Sequence, residues 1–374
     1  MLYVDGWDGP AHKKYVNMVV SFIPEAGAQR EFYNYASEPV ESYNSENRKF
    51  VALFIQKQID LIGAEKIVAL ATDNASTMTK AWKIIHSVPT NMHIMTYSCG
   101  CHMLNNFCKI LVNGQKLKDI TTGKYYYKCD YFRVLFITIK AVCRKLNCMQ
   151  YQEYRVQGNK KESHPPSYTE IRWDSSFNII DFCLADDSYD FICKYLKTLK
   201  GEEATNKDVL YFQSTEFKLK LDDLYKIIKC AFTSVRELEL NGVYLSRQYW
   251  VMSEVDYLLK SDYDVKYPEL SVEFTKLWNR SYTDISAVGF ILDPLVIYIR
   301  AHKSHTLHDT IVGPIAEHED DVLHEIVHVL GCPKSELILF KKNMAIFNKN
   351  KENKIDAKYF LIANQKVFII YIAV

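Results

Sequence analysis

The sequence lacks an apolar run long enough to cross a lipid bilayer. Its longest uninterrupted apolar stretch, residues 367–374, is far shorter than the roughly 20 residues that a spanning helix needs. An excess of charge is also missing, since 46 Lys and Arg residues stand against 45 Asp and Glu residues. We therefore expect no membrane partner, and any contact with nucleic acid must come from local patches.

A secretory signal is likewise not evident before the ten cysteines, which are scattered through apolar segments. This pattern predicts reduced thiols inside a cell and a protein that is not secreted. With 374 residues, of which 48% are hydrophobic, the chain can bury a large core and predicts two or three subdomains.

The first third of the chain alternates strand and helix signals. Three β-rich segments come first, followed by a helix with one apolar stripe that ends before Gly63. A continuously apolar segment then predicts a central strand that ends at Asp73. The predicted strands are residues 1–4, 15–23, 28–35, 66–72 and 92–99, and the predicted helices are 46–62, 75–86 and 102–112. This order predicts an α/β fold, with a mixed sheet of about five strands and flanking helices.

Helical periodicity dominates after Gly114. The predicted helices lie near residues 130–148, 208–240, 247–260, 269–282 and 306–330. The polar stretch 153–167, which contains the Pro165–Pro166 pair, predicts a linker. The sequence therefore indicates a mostly helical region behind the sheet.

Five short motifs carry the chemical information. They are YVDGWD (3–8), ATDNASTMTKAW (71–82), SCGCHMLN (98–105), EIRWDS (170–175) and ILDP (291–294). In this order they resemble the hAT superfamily of DNA transposases, whose catalytic core is RNase H-like. Five motifs in the right order are much harder to obtain by chance than any one of them.

The resemblance implies a division of the chain and a set of site residues. Residues 1–113 correspond to the RNase H-like core, 114–300 to a helical insertion with the Arg-Trp motif, and 301–374 to an incomplete helical part with an out-of-family tail. Asp5 and Asp73 correspond to the first and second catalytic acids, which bind Mg²⁺ or Mn²⁺ in the family, whereas zinc is not expected there. The partners implied are transposon DNA ends, and the location implied is nuclear, with a cytoplasmic one left open.

The chemistry of phosphodiester cleavage explains why the motifs contain the two acids Asp5 and Asp73. Magnesium prefers carboxylate oxygens, so Asp5 and Asp73 must converge if they share an ion. If the first and fourth strands are neighbours, the ends of these strands meet. The alternative for Asp73 alone is an N-cap of the following helix.

The remaining motif residues allow two readings each. By resemblance, Arg172 and Trp173 handle the DNA flank, although a large aromatic such as Trp173 also suits a protein core. Trp7, Cys99 and His102 match structural positions of the family motifs. Cys99 and His102 fit no common zinc finger together with the other cysteines, so a buried structural cluster is favoured.

The sequence also departs from the family pattern. Thr77 and Ile171 replace the usual Asn and Thr, and both changes are tolerable. No SxxSERxFS-like string, which carries the third acid, occurs between residues 287 and 374. Only four residues precede Asp5, which leaves no room in this chain for an amino-terminal zinc finger. We therefore expect incomplete catalysis, no specific site recognition and no family dimerisation segment.

A competing motif lies at residues 324–328, where HEIVH fits the zincin pattern. His324 and His328 would bind zinc and Glu325 would activate a water molecule. Lys334 stands where a third ligand is expected in one zincin class, and the segment also fits an ordinary amphipathic helix. A zinc metallopeptidase and a non-catalytic interaction module or remnant thus remain as alternatives.

Overall fold

The computed structural model describes residues 1–8, 14–22, 31–40, 47–73, 75–158, 164–169, 174–184, 188–239 and 245–281. These residues form two compact units. The first contains residues 1–103 and 238–254 together with 278–281, and the second contains 104–237 and 255–277. The units follow different limits from the predicted domains, because the chain returns to the first unit after residue 237.

A five-stranded mixed sheet forms the centre of the first unit. Its strands are β1 (Leu2–Asp8), β2 (Lys14–Phe22), β3 (Glu31–Val40), β4 (Ala69–Thr72) and β5 (Met95–Ser98). Their order is β3-β2-β1-β4-β5. Strand β2 pairs antiparallel with both β1 and β3, whereas β1, β4 and β5 are parallel to one another. The predicted mixed sheet of about five strands with flanking helices is confirmed.

Burial along the strands follows their place in the sheet. All four residues of β4 are buried, as expected for a central parallel strand. Strand β3 lies at the edge of the sheet and is mostly exposed. Its predicted limits, 28–35, were wrong at the carboxyl end, because an exposed edge strand lacks the apolar alternation that marks a buried one.

Two helices cover one face of the sheet. They are α1 (Asn47–Ile62) and α2 (Ser76–His86). The apolar stripe of α1, including Ile55 and Ile59, packs in one core with Leu2 and Val4 of β1 and Met18 of β2. Because side chains alternate along a strand, Tyr3 and Asp5 belong to the opposite face.

Helix α3 (Gly100–Asn113) follows β5 and leads into the second unit. A short hairpin comes next, formed by β6 (Gln115–Lys118) and β7 (Tyr125–Lys128). The remaining helices are α4 (Arg133–Leu146), α5 (Met149–Gln157), α6 (Ser175–Leu184), α7 (Ser188–Leu196), α8 (Lys207–Phe212), α9 (Thr215–Leu238), α10 (Leu245–Leu258) and α11 (Pro268–Ser281). The sequence patterns predicted neither the hairpin nor the helices α6 and α7. The predicted linker at 153–167 was also wrong at its start, because α5 continues to Gln157.

No helix in the described ranges combines the length and the apolar character that a bilayer crossing requires.

Candidate functional site

Two neighbouring parallel strands, β1 and β4, bring Asp5 and Asp73 together. The register pairs Leu2 with Leu70, and it continues through Tyr3 and Val4 on β1 to Ala71 and Thr72 on β4. One residue further along both strands come Asp5 and Asp73. Their side chains point to the same face, because each lies two residues after a partner pair on that face. The two carboxylates lie close enough for the charge of Asp73 to raise the pKa of Asp5.

Strand β5 adds a third side chain to the same edge. Thr72 pairs with Ser98, and the backbone N–H of Cys99 donates a hydrogen bond of 2.8 Å to the carbonyl oxygen of Thr72. Cys99 therefore follows β5 at the level where Asp73 follows β4. Asp5 lies on β1 beside the ends of β4 and β5, which Asp73 and Cys99 follow directly. Together with His102, these three residues form what we call the strand-end cluster.

His102 reaches this cluster from the first turn of α3. Its Nε2 lies 3.9 Å from Oδ1 of Asp5, and 30% of the His102 side chain is exposed, compared with 59% for Asp5. Burial opposes protonation of the imidazole, but the hydrogen bond with Cys99 and the negative charges of Cys99 and both aspartates raise the pKa of His102. These interactions therefore favour the protonated form of the ring beside Asp5.

The pKa of Asp5 is also raised. Desolvation by the surrounding protein is the largest cause, and the charge of Asp73 adds to it, whereas His102 opposes the rise. Folding therefore destabilises the ionised form of the Asp5 carboxylate relative to its protonated form. A second positive charge beside Asp5 and Asp73 would relieve this repulsion.

The two cysteines beside His102 have opposite acidities. The hydrogen bond from Cys101 lowers the pKa of the Cys99 thiol well below its ordinary value, although burial opposes this, and His102 lowers it further. The same hydrogen bond and burial raise the pKa of Cys101. Cys99 is partly exposed and Cys101 is buried. Cys101 and His102 therefore both favour the thiolate form of Cys99.

Asp73 also holds the start of the following helix. Its Oδ1 accepts a hydrogen bond of 2.9 Å from the backbone N–H of Ala75, immediately before α2. The N-cap of α2 is Ala75, so the capping role considered for Asp73 was wrong, and the Asp73 side chain instead closes a turn just before the helix. This bond uses one carboxylate oxygen, so it does not prevent the other from binding a ligand.

Asn17 is a site residue that sequence reasoning missed. It pairs directly with Asp5 across β1 and β2, so both side chains lie on one face. Its Oδ1 is buried, and within the described ranges it has no hydrogen-bond partner. The only signal in the sequence is a polar residue between the core residues Val16 and Met18, and it gains meaning only once the β1–β2 register is known.

A later segment of the first unit fixes the end of β5. Nε2 of Gln248, on α10, donates a hydrogen bond of 3.1 Å to the carbonyl oxygen of Ser98. Gly100 permits this approach, because a Cβ there would lie 2.9 Å from Cγ of Gln248 and 3.0 Å from Cε of Met252. This contact holds the start of α3, and therefore His102, beside the strand ends.

Comparison with known proteins adds no relative. No protein-family model matches this chain, and no curated protein matches it. The site must therefore be interpreted from its own geometry.

Several predicted site residues lie outside the described residues. They are Arg172, Trp173, the side chain of Trp7, and His324, Glu325 and His328 of the HEIVH motif. The Trp7 backbone belongs to β1, opposite Tyr15. Among the described residues, no group of three or more His, Cys, Asp or Glu side chains is arranged to hold a metal ion.

Proposed function

We propose that this chain is a transposase-derived protein of the hAT type, in which an RNase H-like sheet carries a divalent-cation site at Asp5 and Asp73 and acts on DNA. The observation that carries the proposal is the register of β1 and β4, which makes the two acids neighbours despite the 68 positions between them. An RNase H-like core needs its first and fourth strands to be adjacent for this reason. The strand order and directions given above meet that requirement.

The donor atoms suit a hard cation. Asp5 and Asp73 supply carboxylate oxygens, and the buried Oδ1 of Asn17 is an amide oxygen without a hydrogen-bond partner in the described part of the chain. Magnesium and manganese favour such oxygens, and magnesium usually keeps several water ligands, so it needs no complete protein cage. When bound, the cation would supply charge stabilisation to a phosphodiester oxygen.

The chain's own residues would then have separate tasks. Asp5 and Asp73 hold the cation, and Asp73 is itself oriented by its hydrogen bond with Ala75. His102 competes with the cation for the same negative charge, since its imidazolium lies next to Asp5. The sequence contributes no SxxSERxFS-like string, so we assign no third acid and expect cation binding to be easier to detect than DNA cleavage.

Cation binding is the direct test. Titration of the full chain with Mn²⁺, followed by the electron paramagnetic resonance of the free ion, should detect one site that Asp5→Asn or Asp73→Asn weakens at least tenfold. Asp60→Asn is the matched control, because Asp60 is an exposed carboxylate of α1 that accepts a hydrogen bond only from Gln56 among the described residues. Equal affinity in the wild type and both strand-end variants would refute the proposal, as would no binding at millimolar Mn²⁺.

DNA cleavage is tested separately. Nicking of supercoiled plasmid in Mn²⁺ should be slow, should stop in EDTA, and should be lost in Asp5→Asn and Asp73→Asn but not in Asp60→Asn. Nicking that persists in both strand-end variants would show that these acids do not act on DNA.

A further inference from the structure

The hairpin of the second unit combines positive charge with aromatic rings. Its sequence, QKLKDITTGKYYYK over residues 115–128, contains four lysines and three tyrosines but only one acid, Asp119. No residue of the hairpin belongs to the strand-end cluster. The hairpin therefore presents a chemical surface that the proposed function does not use.

The hairpin register gathers these side chains on one face. Lys116 pairs with Tyr127, and Lys118 pairs with Tyr125. In an antiparallel ladder, paired residues share a face, and residues two apart on one strand do too. All four side chains are exposed, and Tyr125 exposes 61% of its surface.

Cation–π contacts join the members of this face. Nζ of Lys116 lies 4.4 Å from the ring centroid of Tyr125, and Cζ of Arg133 lies 3.8 Å from that of Tyr127. Lys116, Lys118, Tyr125, Tyr127 and Arg133 together form what we call the basic–aromatic face. No ion pair within the described residues neutralises its three cations.

The opposite face of the hairpin is held against α11. Lys128 Nζ lies 2.9 Å from Oε1 of Glu273, and the backbone N–H of Cys129 donates to Oε2 of Glu269 at 3.0 Å. The positive charge of Lys128 is thus neutralised within the unit. The cations of the basic–aromatic face have no such partner in the described part of the chain and remain available to a ligand.

The tip of the hairpin is also ordered by its own hydrogen bonds. Oδ1 of Asp119 accepts from the backbone N–H groups of Thr121 and Thr122 at 2.8 and 2.9 Å. Gly123 adopts a φ of 68°, which glycine tolerates without strain. Because both ends of the hairpin are fixed, little ordering is needed when a ligand binds.

We propose that the basic–aromatic face binds single-stranded nucleic acid. Lysine and arginine neutralise phosphates, and tyrosine rings stack on bases of any sequence. Tyr125 and Tyr127 lie about 7 Å apart along β7, whereas stacked bases in a duplex strand are 3.4 Å apart. Each ring therefore suits one base of an unstacked, extended strand rather than a duplex.

Fluorescence anisotropy with a labelled single-stranded 20-mer of DNA tests the proposal, using the full chain in EDTA. The single strand should bind more tightly than its duplex. Tyr125→Ala should weaken binding about tenfold, and Tyr125→Phe should retain it, because the ring supplies the stacking. Lys116→Ser with Lys118→Ser should reduce the slope of log affinity against log salt by about 1.4, since each phosphate contact to a single strand contributes about 0.7.

Matched variants come from elsewhere in the second unit. Tyr257→Ala removes another exposed tyrosine, and Lys226→Ser with Lys229→Ser removes two exposed lysines of α9. Each should change affinity less than twofold. The proposal is overturned if Tyr125→Ala has no effect, if these variants weaken binding equally, or if phosphatidylserine vesicles bind and single-stranded DNA does not. Asp5→Asn should bind the strand normally, so this test can fail or succeed independently of the cation site.

Discussion

The Asp5→Asn variant should be more stable than the wild type without magnesium and less stable than the wild type when magnesium is added. Without a cation, the ionised Asp5 is partly desolvated and repelled by Asp73, which together raise its pKa. An acid whose pKa is raised by folding favours the folded state when protonated, and this stabilisation is lost as the pH rises through the raised pKa. The charge of the ionised carboxylate is therefore destabilising, and Asp5→Asn removes it.

The size of the effect follows from the strand geometry. Neighbouring strands are about 5 Å apart, and two unit charges at that distance repel by about 0.8 kcal/mol in water. The aqueous value applies because 59% of the Asp5 side chain is exposed. A protonated His102, with Nε2 3.9 Å from Oδ1 of Asp5, would attract the carboxylate by about 1.1 kcal/mol and so offset this repulsion. The gain in EDTA therefore comes from relieving desolvation, the largest cause of the raised pKa of Asp5, and we expect at most about 0.5 kcal/mol.

Magnesium should act in the opposite direction. A ligand at ten times its dissociation constant stabilises the folded state by about 1.4 kcal/mol. Only the wild type should receive this stabilisation, because Asn17 and Asp73 alone hold the cation weakly. At about 2.1 cal/mol/K per residue, 1 kcal/mol corresponds to about 1.3 °C in the melting temperature of a chain of 374 residues.

Thermal unfolding followed by circular dichroism at pH 7 measures both effects. In EDTA, Asp5→Asn should melt slightly above the wild type, by up to about 0.7 °C, and at ten times the dissociation constant of Mg²⁺ it should melt about 1–2 °C below. At pH 3 the EDTA difference should vanish, since Asp5 is then protonated. Asp60→Asn should follow the wild type throughout. The reasoning is refuted if the order is the same in EDTA and Mg²⁺, or if both proteins gain equally from the cation.

Two further predictions concern the core and the thiols of the first unit. Ile55→Ala should lower the free energy of unfolding by about 2–5 kcal/mol in urea titrations, because Ile55 is fully buried, whereas Leu53→Ala, at a side chain 70% exposed, should change it by less than about 0.5 kcal/mol. Equal losses would contradict the packing of α1. Cys99 should react fastest with iodoacetamide at pH 7, as read by peptide mass spectrometry, and His102→Ala should slow it because the imidazolium no longer lowers the pKa of the thiol. An unchanged rate would show that His102 does not stabilise the thiolate form of Cys99.

The elements around the sheet were predictable where one physical signal dominated. Helix α1 has an apolar stripe, and Gly63, with a φ of 95°, follows its end. Strand β4 is short and apolar throughout, which indicated a strand covered on both faces. Asp5 and Asp73 were found because each stands inside a longer motif. Asp73 follows β4 directly, whereas the predicted end of the first strand at residue 4 was wrong, because β1 continues past Asp5 to Asp8.

Other features depended on contacts that a single sequence does not reveal. Asn17 is a site residue only through its pairing with Asp5, and no local pattern encodes that register. Strands β6 and β7 have four residues each, and their side chains are mostly exposed, so neither showed the alternation of a buried strand. The contact between Gln248 and Ser98 joins residues 150 positions apart, which is beyond any periodicity argument.

That last contact has a consequence for synthesis on the ribosome. Ser98 emerges long before Gln248, and at 5–20 residues per second the interval of 150 positions corresponds to about 8–30 s. During this interval the nascent first unit lacks the residues that pack around Gly100. Only residues 104–237 of the second unit are made in this interval, because residues 255–277 follow Gln248. Neither unit can therefore complete its packing until the chain beyond Gln248 has been synthesised.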